Sequence, residues 1–193
     1  MDHSITNSDG LAVGITYYDK PVLSGDSEIA SAINAYFEDE CQEFFFGKNR
    51  INFFGSREYA VFEGCVYTFL SLTNSLLSYG SSFYNTVRTE ATYNSDEILS
   101  FAMNTYWTVG GVNTGYSFGT TFDMHTGELV TLDCFFDISI TQFLEKIEEF
   151  IIMRFMEWYD EDYVSSLLSD PLRETLGSMD YNDFEYFYDG CAW

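Results

Sequence analysis

A glycine-flanked serine, two histidines, four cysteines and 31 acidic side chains are the groups in this chain that could do chemistry. Gly115-Tyr116-Ser117-Phe118-Gly119 has the G-x-S-x-G spacing of a nucleophile elbow. That chemistry needs a strand turning sharply into a helix, which lifts the serine out towards a histidine base. Here strand-like alternation runs on past the motif. Downstream only His125 is present, in a turn-forming run, and His3 lies near the N-terminus. The spacing therefore predicts a strand with Ser117 facing outwards, and no catalytic residue is assigned.

The carboxylates are too many to select a pair by abundance. Hydrolysis of a glycan needs two of them at a set separation in a cleft, which a sequence does not display. Asp180-Tyr181-Asn182-Asp183-Phe184 has a faint calcium-loop pattern, but Phe184 offers no side-chain oxygen at the fifth position. Asp160-Glu161-Asp162 reads as solvated charge at a helix end. No metal and no cofactor is expected. Cys41, Cys65, Cys134 and Cys191 include no C-x-x-C pair. Widely spaced, they allow two disulfides in three connectivities, or four buried thiols.

Aromatic residues beside a flexible break are more informative. Tyr106 and Trp107 precede Gly110-Gly111, and Asn113 and Tyr116 follow. Such groups often form contact surfaces. The expected ligand-binding set is Tyr106, Trp107, Gly110, Gly111, Asn113 and Tyr116; core packing is the competing role for the aromatics.

The elements that must position these residues follow from periodicity. Tyr116, Phe118, Thr120, Phe122 and Met124 alternate with Ser117, Gly119, Thr121 and Asp123, the period of a half-buried strand. His125-Thr126-Gly127-Glu128 predicts a turn with Gly127 at positive φ, and Leu129 to Phe136 a return strand. Leu11 to Tyr18, Phe83 to Tyr93 and Ile98 to Thr108 are further predicted strands. Asp26 or Ser27 can cap a helix whose apolar face includes Ile29, Ile33, Tyr36, Phe37, Cys41, Phe44 and Phe45, with Gly47 as its stop. Arg57 to Ser78 has helical period. Ser139 and Gln142 have capping-box spacing before a helix bearing Phe143, Leu144, Ile147, Phe150, Ile151, Phe155 and Trp158. Asp170-Pro171 can start a short last helix.

With 193 residues and no linker-like or repeated stretch, one domain over 1–193 is expected. Helices and hairpin strands in separate blocks predict an α+β fold, an antiparallel β-sheet with helices packed on one face. The net charge of −23 argues against nucleic acid, which is held by Lys and Arg at phosphates. It suits a basic partner. No membrane span is expected, because no run of about 18 apolar residues occurs. Residues 1–10 are polar and do not read as a signal peptide. Either the chain is cytoplasmic, or a signal or anchor precedes it in the full gene.

Three segments resemble a family of bacterial extracytoplasmic domains. That family forms the outer part of the lysozyme-binding anti-sigma-V factor and accompanies a peptidoglycan polysaccharide deacetylase. Pro21-Val22-Leu23-Ser24-Gly25 with Ile33-Asn34 is similar to its lead from strand into helix. Tyr93-Asn94 through Ile98-Leu99-Ser100 is similar to its turn into a strand. Gly110-Gly111-Val112-Asn113 and the run from Phe122 to Asp133 resemble its most characteristic stretch. The likeness covers residues 11–160 in patches. The family's Gly-Gly-Ala-His is replaced by Gly-Gly-Val112-Asn113, so any role of that histidine is absent. Its final strands after the long helix have at most Phe184 to Tyr188 as a counterpart.

The resemblance implies a non-enzymatic sensing or binding domain at the bacterial cell envelope, with a basic protein such as a lysozyme as partner. Its alternative is a glycan-binding accessory domain of a cell-wall polysaccharide deacetylase or related enzyme. An extracytoplasmic location implies oxidation, and with it at least one disulfide.

Overall fold

The computed structural model describes residues 2–6, 12–47, 83–109 and 112–160, followed by 163, 164, 166, 174, 176–181, 184 and 186. They fall in two compact units, one reaching to Leu129 and one beginning at Val130. No linker-like composition marks this division. The helix predicted over Arg57 to Ser78, together with Gly110, Gly111, Cys65 and Cys191, lies outside the described residues.

In the first unit, six strands form one sheet. They are β1 (Asp2–Thr6), β2 (Ala12–Tyr18), β3 (Phe83–Asn94), β4 (Ile98–Val109), β5 (Val112–Thr114) and β6 (Ser117–Asp123). The order is β1-β2-β3-β4-β5, with β6 also paired to β4. All pairs are antiparallel except β2 with β3. The α+β class is as expected, but the sheet is mixed. Between β2 and β3 the chain makes a long excursion through α1 (Glu28–Phe46). A connection of that length permits a parallel pairing, which a tight turn does not.

Helix α1 forms where the periodicity predicts. Ser27 is its N-cap, its hydroxyl accepting from the Ala30 N–H at 3.1 Å. Gly47 stops it at φ +80, its N–H donating to the Glu43 carbonyl at 2.8 Å. The helix buries Ile33, Phe37, Cys41 and Phe45 against one face of the sheet, where Tyr18, Val87, Leu99, Phe101, Met103 and Phe122 complete the core. Phe37 lies edge-on to Phe101 at 5.0 Å and tilted to Phe122 at 5.7 Å. Such ring pairs contribute about 0.5–1.5 kcal/mol beyond the area they bury. Burial in this core raises the Cys41 thiol's pKa.

Strand β6 ends in a fastened turn. The Asp123 carboxylate accepts from the N–H groups of His125 and Thr126 at 2.6 and 3.2 Å, and the Gly127 N–H donates to the Asp123 carbonyl at 2.8 Å. Gly127 has φ +77. The predicted return strand does not form. After a lone bridge between Phe122 and Leu129, residues Leu132–Phe135 wind into a 3-10 turn. The Thr131 hydroxyl bonds the Asp133 carboxylate there. A short polar side chain bonding locally competes with ladder pairing.

In the second unit, α2 (Ile140–Met156) starts at Ser139 with the expected capping box. Phe143 is its buried residue, ringed by Phe136, Tyr181 and Phe184 at 5.1–5.2 Å. The Tyr181 hydroxyl donates to the Ile138 carbonyl at 2.8 Å. The calcium-like run thus supplies packing rings. Asp160 accepts from the Tyr163 N–H at 2.9 Å, capping the next helical turn rather than ending α2. The apolar face predicted for α2 is covered in part: Phe143 is buried, Leu144, Ile147 and Ile151 are half-buried, and Phe150, Phe155 and Trp158 are exposed. Cys134 carries an exposed free thiol, which removes it from any bridge. Among the described residues no helix is long and apolar enough to cross a membrane.

Two variants test this account. A Cβ on Gly127 would meet the Ile29 Cα and the Ala32 Cβ, each at 3.3 Å, besides straining the positive φ. Gly127→Val should destabilise the fold by about 2–4 kcal/mol, and a thermal melt unchanged from wild type would contradict it. Lys20 pairs with Glu38 on α1; its hydrogen bond, and then that of Gln42, hold the Glu38 carboxyl below the usual range. A depressed pKa contributes stability above the unfolded value, and this is lost as pH falls through the folded one. Lys20→Met should therefore melt slightly below wild type at neutral pH, with the gap closing in acid. A gap independent of pH would mean the pair does not act through ionisation.

Candidate binding surface

Because α1 occupies one face of the sheet, alternation sends every second residue to the other. Register sets the neighbours there. Ile15 pairs with Tyr84, Tyr84 with Thr108, and Thr108 with Asn113, a row across β2, β3, β4 and β5. The next row runs Tyr17, Thr86, Tyr106. Ile15 is 39% exposed, Tyr84 40% and Tyr106 49%. An isoleucine and two tyrosines left this open on adjoining strands make an apolar, hydroxyl-tipped surface, the composition that contact surfaces favour. The Tyr106 hydroxyl donates to the Asn113 Oδ1 at 3.3 Å, linking two members of the predicted set across the β4–β5 hairpin.

Two other members of the set, Trp107 and Tyr116, lie elsewhere. Trp107 pairs with Asn85 and Thr114, so it sits on the α1 side of the sheet, half-buried. Tyr116 is on that side too, its ring 5.7 Å from Phe118, which packs against the core. The strand period thus separates Tyr106 from its neighbour Trp107. Ile15 and Tyr84 were not singled out from the sequence. They come from strands distant in the chain, and only the parallel β2–β3 register brings them beside Tyr106.

The bend that places Tyr116 is held by Thr105. Its N–H and its hydroxyl both donate to the Tyr116 carbonyl, at 2.9 and 3.0 Å, while the Tyr116 N–H donates back to the hydroxyl at 3.2 Å. Gly115 makes the approach possible, since a Cβ there would come within 2.7 Å of the Thr105 carbonyl oxygen. Ser117 begins β6 exposed, its hydroxyl donating to the Asn104 Oδ1 at 2.6 Å. No helix follows it, as the strand reading of the G-x-S-x-G motif requires.

Parts of the segments that carry the family likeness, Leu23 with Asn34, residues 95–98 and the turn after Phe122, are held by hydrogen bonds near the N-terminal end of α1. The Asn34 side chain accepts from the Leu23 N–H at 2.8 Å and donates to the Leu23 carbonyl at 2.9 Å. The Met124 N–H donates to the Glu97 carbonyl at 2.8 Å, tying the turn after β6 to the turn before β4. The Ser95 hydroxyl holds that second turn by accepting from the Glu97 and Ile98 N–H groups at 3.2 and 3.1 Å.

Thr105→Val keeps the shape and loses the hydroxyl at the bend. A cost of about 1–2 kcal/mol is expected, with larger chemical-shift changes at Tyr116 than at Tyr84. A melt and spectrum like wild type would show that Gly115 alone sets the bend.

No family model matches the chain, and no curated protein matches it. Among solved structures, it is similar to the crystal structure of a member of the DUF3298 family from Bacteroides fragilis. That match has a TM-score of 0.51 and 16% sequence identity, and it covers 86% of this chain and 70% of that one. At such identity the likeness is one of fold, shared with a bacterial domain of unknown function.

Proposed function

We propose that this chain is a non-enzymatic, extracytoplasmic ligand-binding or sensing domain of the bacterial cell envelope. In this reading it receives a basic protein, such as a lysozyme, on the tyrosine face of its sheet. One observation carries it: Tyr84, Tyr106 and Ile15 stand exposed together on a sheet face that α1 does not cover. The net charge of −23 supplies the attraction a basic partner would feel. The sequence resemblance adds the envelope location and the class of partner. The alternative, a glycan-binding accessory domain, draws on the same two tyrosine rings, which could stack on sugars.

Calorimetry against hen lysozyme at two salt concentrations tests the reading. Charge alone attracts a basic protein, but that attraction fades as screening shortens to about 8 Å at physiological ionic strength. Saturation at one-to-one stoichiometry and measurable affinity at the higher salt are expected. Tyr84→Ala and Tyr106→Ala should each weaken binding by about tenfold, as central aromatic contacts do. Trp107→Phe, on the opposite face, should leave it unchanged. Heat that vanishes at the higher salt, or tyrosine variants binding like wild type, would remove the sheet face from consideration. Binding of peptidoglycan fragments in its place would favour the glycan alternative.

A further inference from the structure

The sheet face that carries Tyr84 and Tyr106 has a third row. Arg88 on β3 pairs with Asn104 on β4, and Asn104 with Ser117 on β6, so these three stand in line next to the row of Thr86 and Tyr106. All three are exposed. Further along the same face Ala102, Ser100 and Thr121 are buried. The Ser117 hydroxyl donates to the Asn104 Oδ1 at 2.6 Å. That occupies the acceptor of the amide and leaves its N–H groups, which can only donate. Among the described residues neither those N–H groups nor the Arg88 guanidinium has a hydrogen-bond partner, and Arg88 makes no ion pair. The surroundings explain why. In a chain with 31 acidic residues, β3, β4 and β5 contain one, Glu90. Glu90 is exposed two residues along from Arg88, unpaired with it.

We infer that Arg88 and Asn104 form a carboxylate-binding subsite at the end of the tyrosine face, filled by a carboxylate of the partner protein. The inference rests on the sheet-face reading above and deepens it, naming a group the partner must present. Two neighbours left with donors alone call for an acceptor. Directly paired positions on adjacent strands stand about 5 Å apart at Cβ, so one planar carboxylate is within reach of both, with the guanidinium fork matched to its two oxygens. The net charge of −23 opposes a doubly charged anion more than a singly charged one, which favours a carboxylate over a phosphate. Tyr106 lies two residues from Asn104 on the same strand and face, so the group that bears the carboxylate rests beside its ring. The subsite also sets orientation. A partner's Lys laid here meets Arg88 as a like charge, although the chain as a whole attracts it. A basic protein is then held in one register by the acid it presents rather than by its many cations.

The test titrates the full chain with N-acetyl-tryptophan, which carries a carboxylate beside an aromatic ring, and with N-acetyl-tryptophanamide, which has the ring without the charge. NMR at physiological salt follows the Asn104 side-chain amide and the Tyr106 backbone amide. The acid should bind about fivefold tighter than the amide, the upper end for an exposed ion pair. Arg88→Gln should erase that preference while melting like wild type, since the side chain is exposed and unpaired. Glu90→Gln removes a charge that repels the acid. It should strengthen acid binding about twofold and leave the amide unchanged. Equal affinities for acid and amide would overturn the inference. So would a preference that survives Arg88→Gln, or shifts that miss Asn104. The two readings fail separately. Lysozyme binding that needs Tyr84 and Tyr106 but not Arg88, with no acid preference, would sink the subsite alone. An acid preference in a chain that does not bind lysozyme would sink lysozyme as the partner and leave the subsite standing.

Discussion

The contact of Phe37 with Phe101 and Phe122 is what the rest of the first unit depends on. One ring from α1 meets rings from β4 and β6, strands that are themselves paired. This fixes which face of the sheet is inner. Once it is fixed, the period of two assigns every strand residue to the α1 side or to the other. The burial of Leu99, Phe101 and Met103 and the exposure of Tyr106 and Asn104 follow from that assignment. A large-to-small change at Phe37 would remove about 3–5 kcal/mol, and with it the distinction between the faces.

The same packing bears on how the loops at the N-terminal end of α1 are placed. A helix held along its length by Ile33, Phe37, Cys41 and Phe45 presents a fixed first turn. The segment before it is clamped by Asn34, and the turn after β6 lies on Ile29 through a glycine that has no side chain to interfere. Segments far apart in the chain are therefore brought together by packing and by backbone hydrogen bonds.

Acidic residues in this chain divide by context. Asp123 and Asp160 spend their oxygens on backbone N–H groups and shape turns. Glu38 is answered by Lys20 and Gln42. Those on the loops around the α1 end have no basic side chain within their own segments. With 31 acidic residues against 8 basic ones, most cannot be paired. The excess is a long-range field, which bears on association more than on stability of the fold.

The sequence by itself determined the local features. Ser27, Gly47, Gly127 and the Ser139–Gln142 capping box were legible because caps and turns are set by a few adjacent residues and their backbone angles. The apolar face of α1 was legible because burial follows period, whereas β6 buries Thr120, Thr121 and Phe122 in succession, which its alternation did not announce. What only the tertiary structure decided was pairing between distant segments. The parallel β2–β3 contact was hidden, since a strand does not state its neighbour, and with it the meeting of Ile15, Tyr84 and Tyr106. The predicted partnership of Tyr106 with Trp107 divided across the sheet for the converse reason. Adjacency along a strand places two side chains on opposite faces. Leu129 to Phe136 looked like a strand by composition, but local bonding at Thr131 and Asp133 outweighed ladder pairing, a competition that propensity does not resolve.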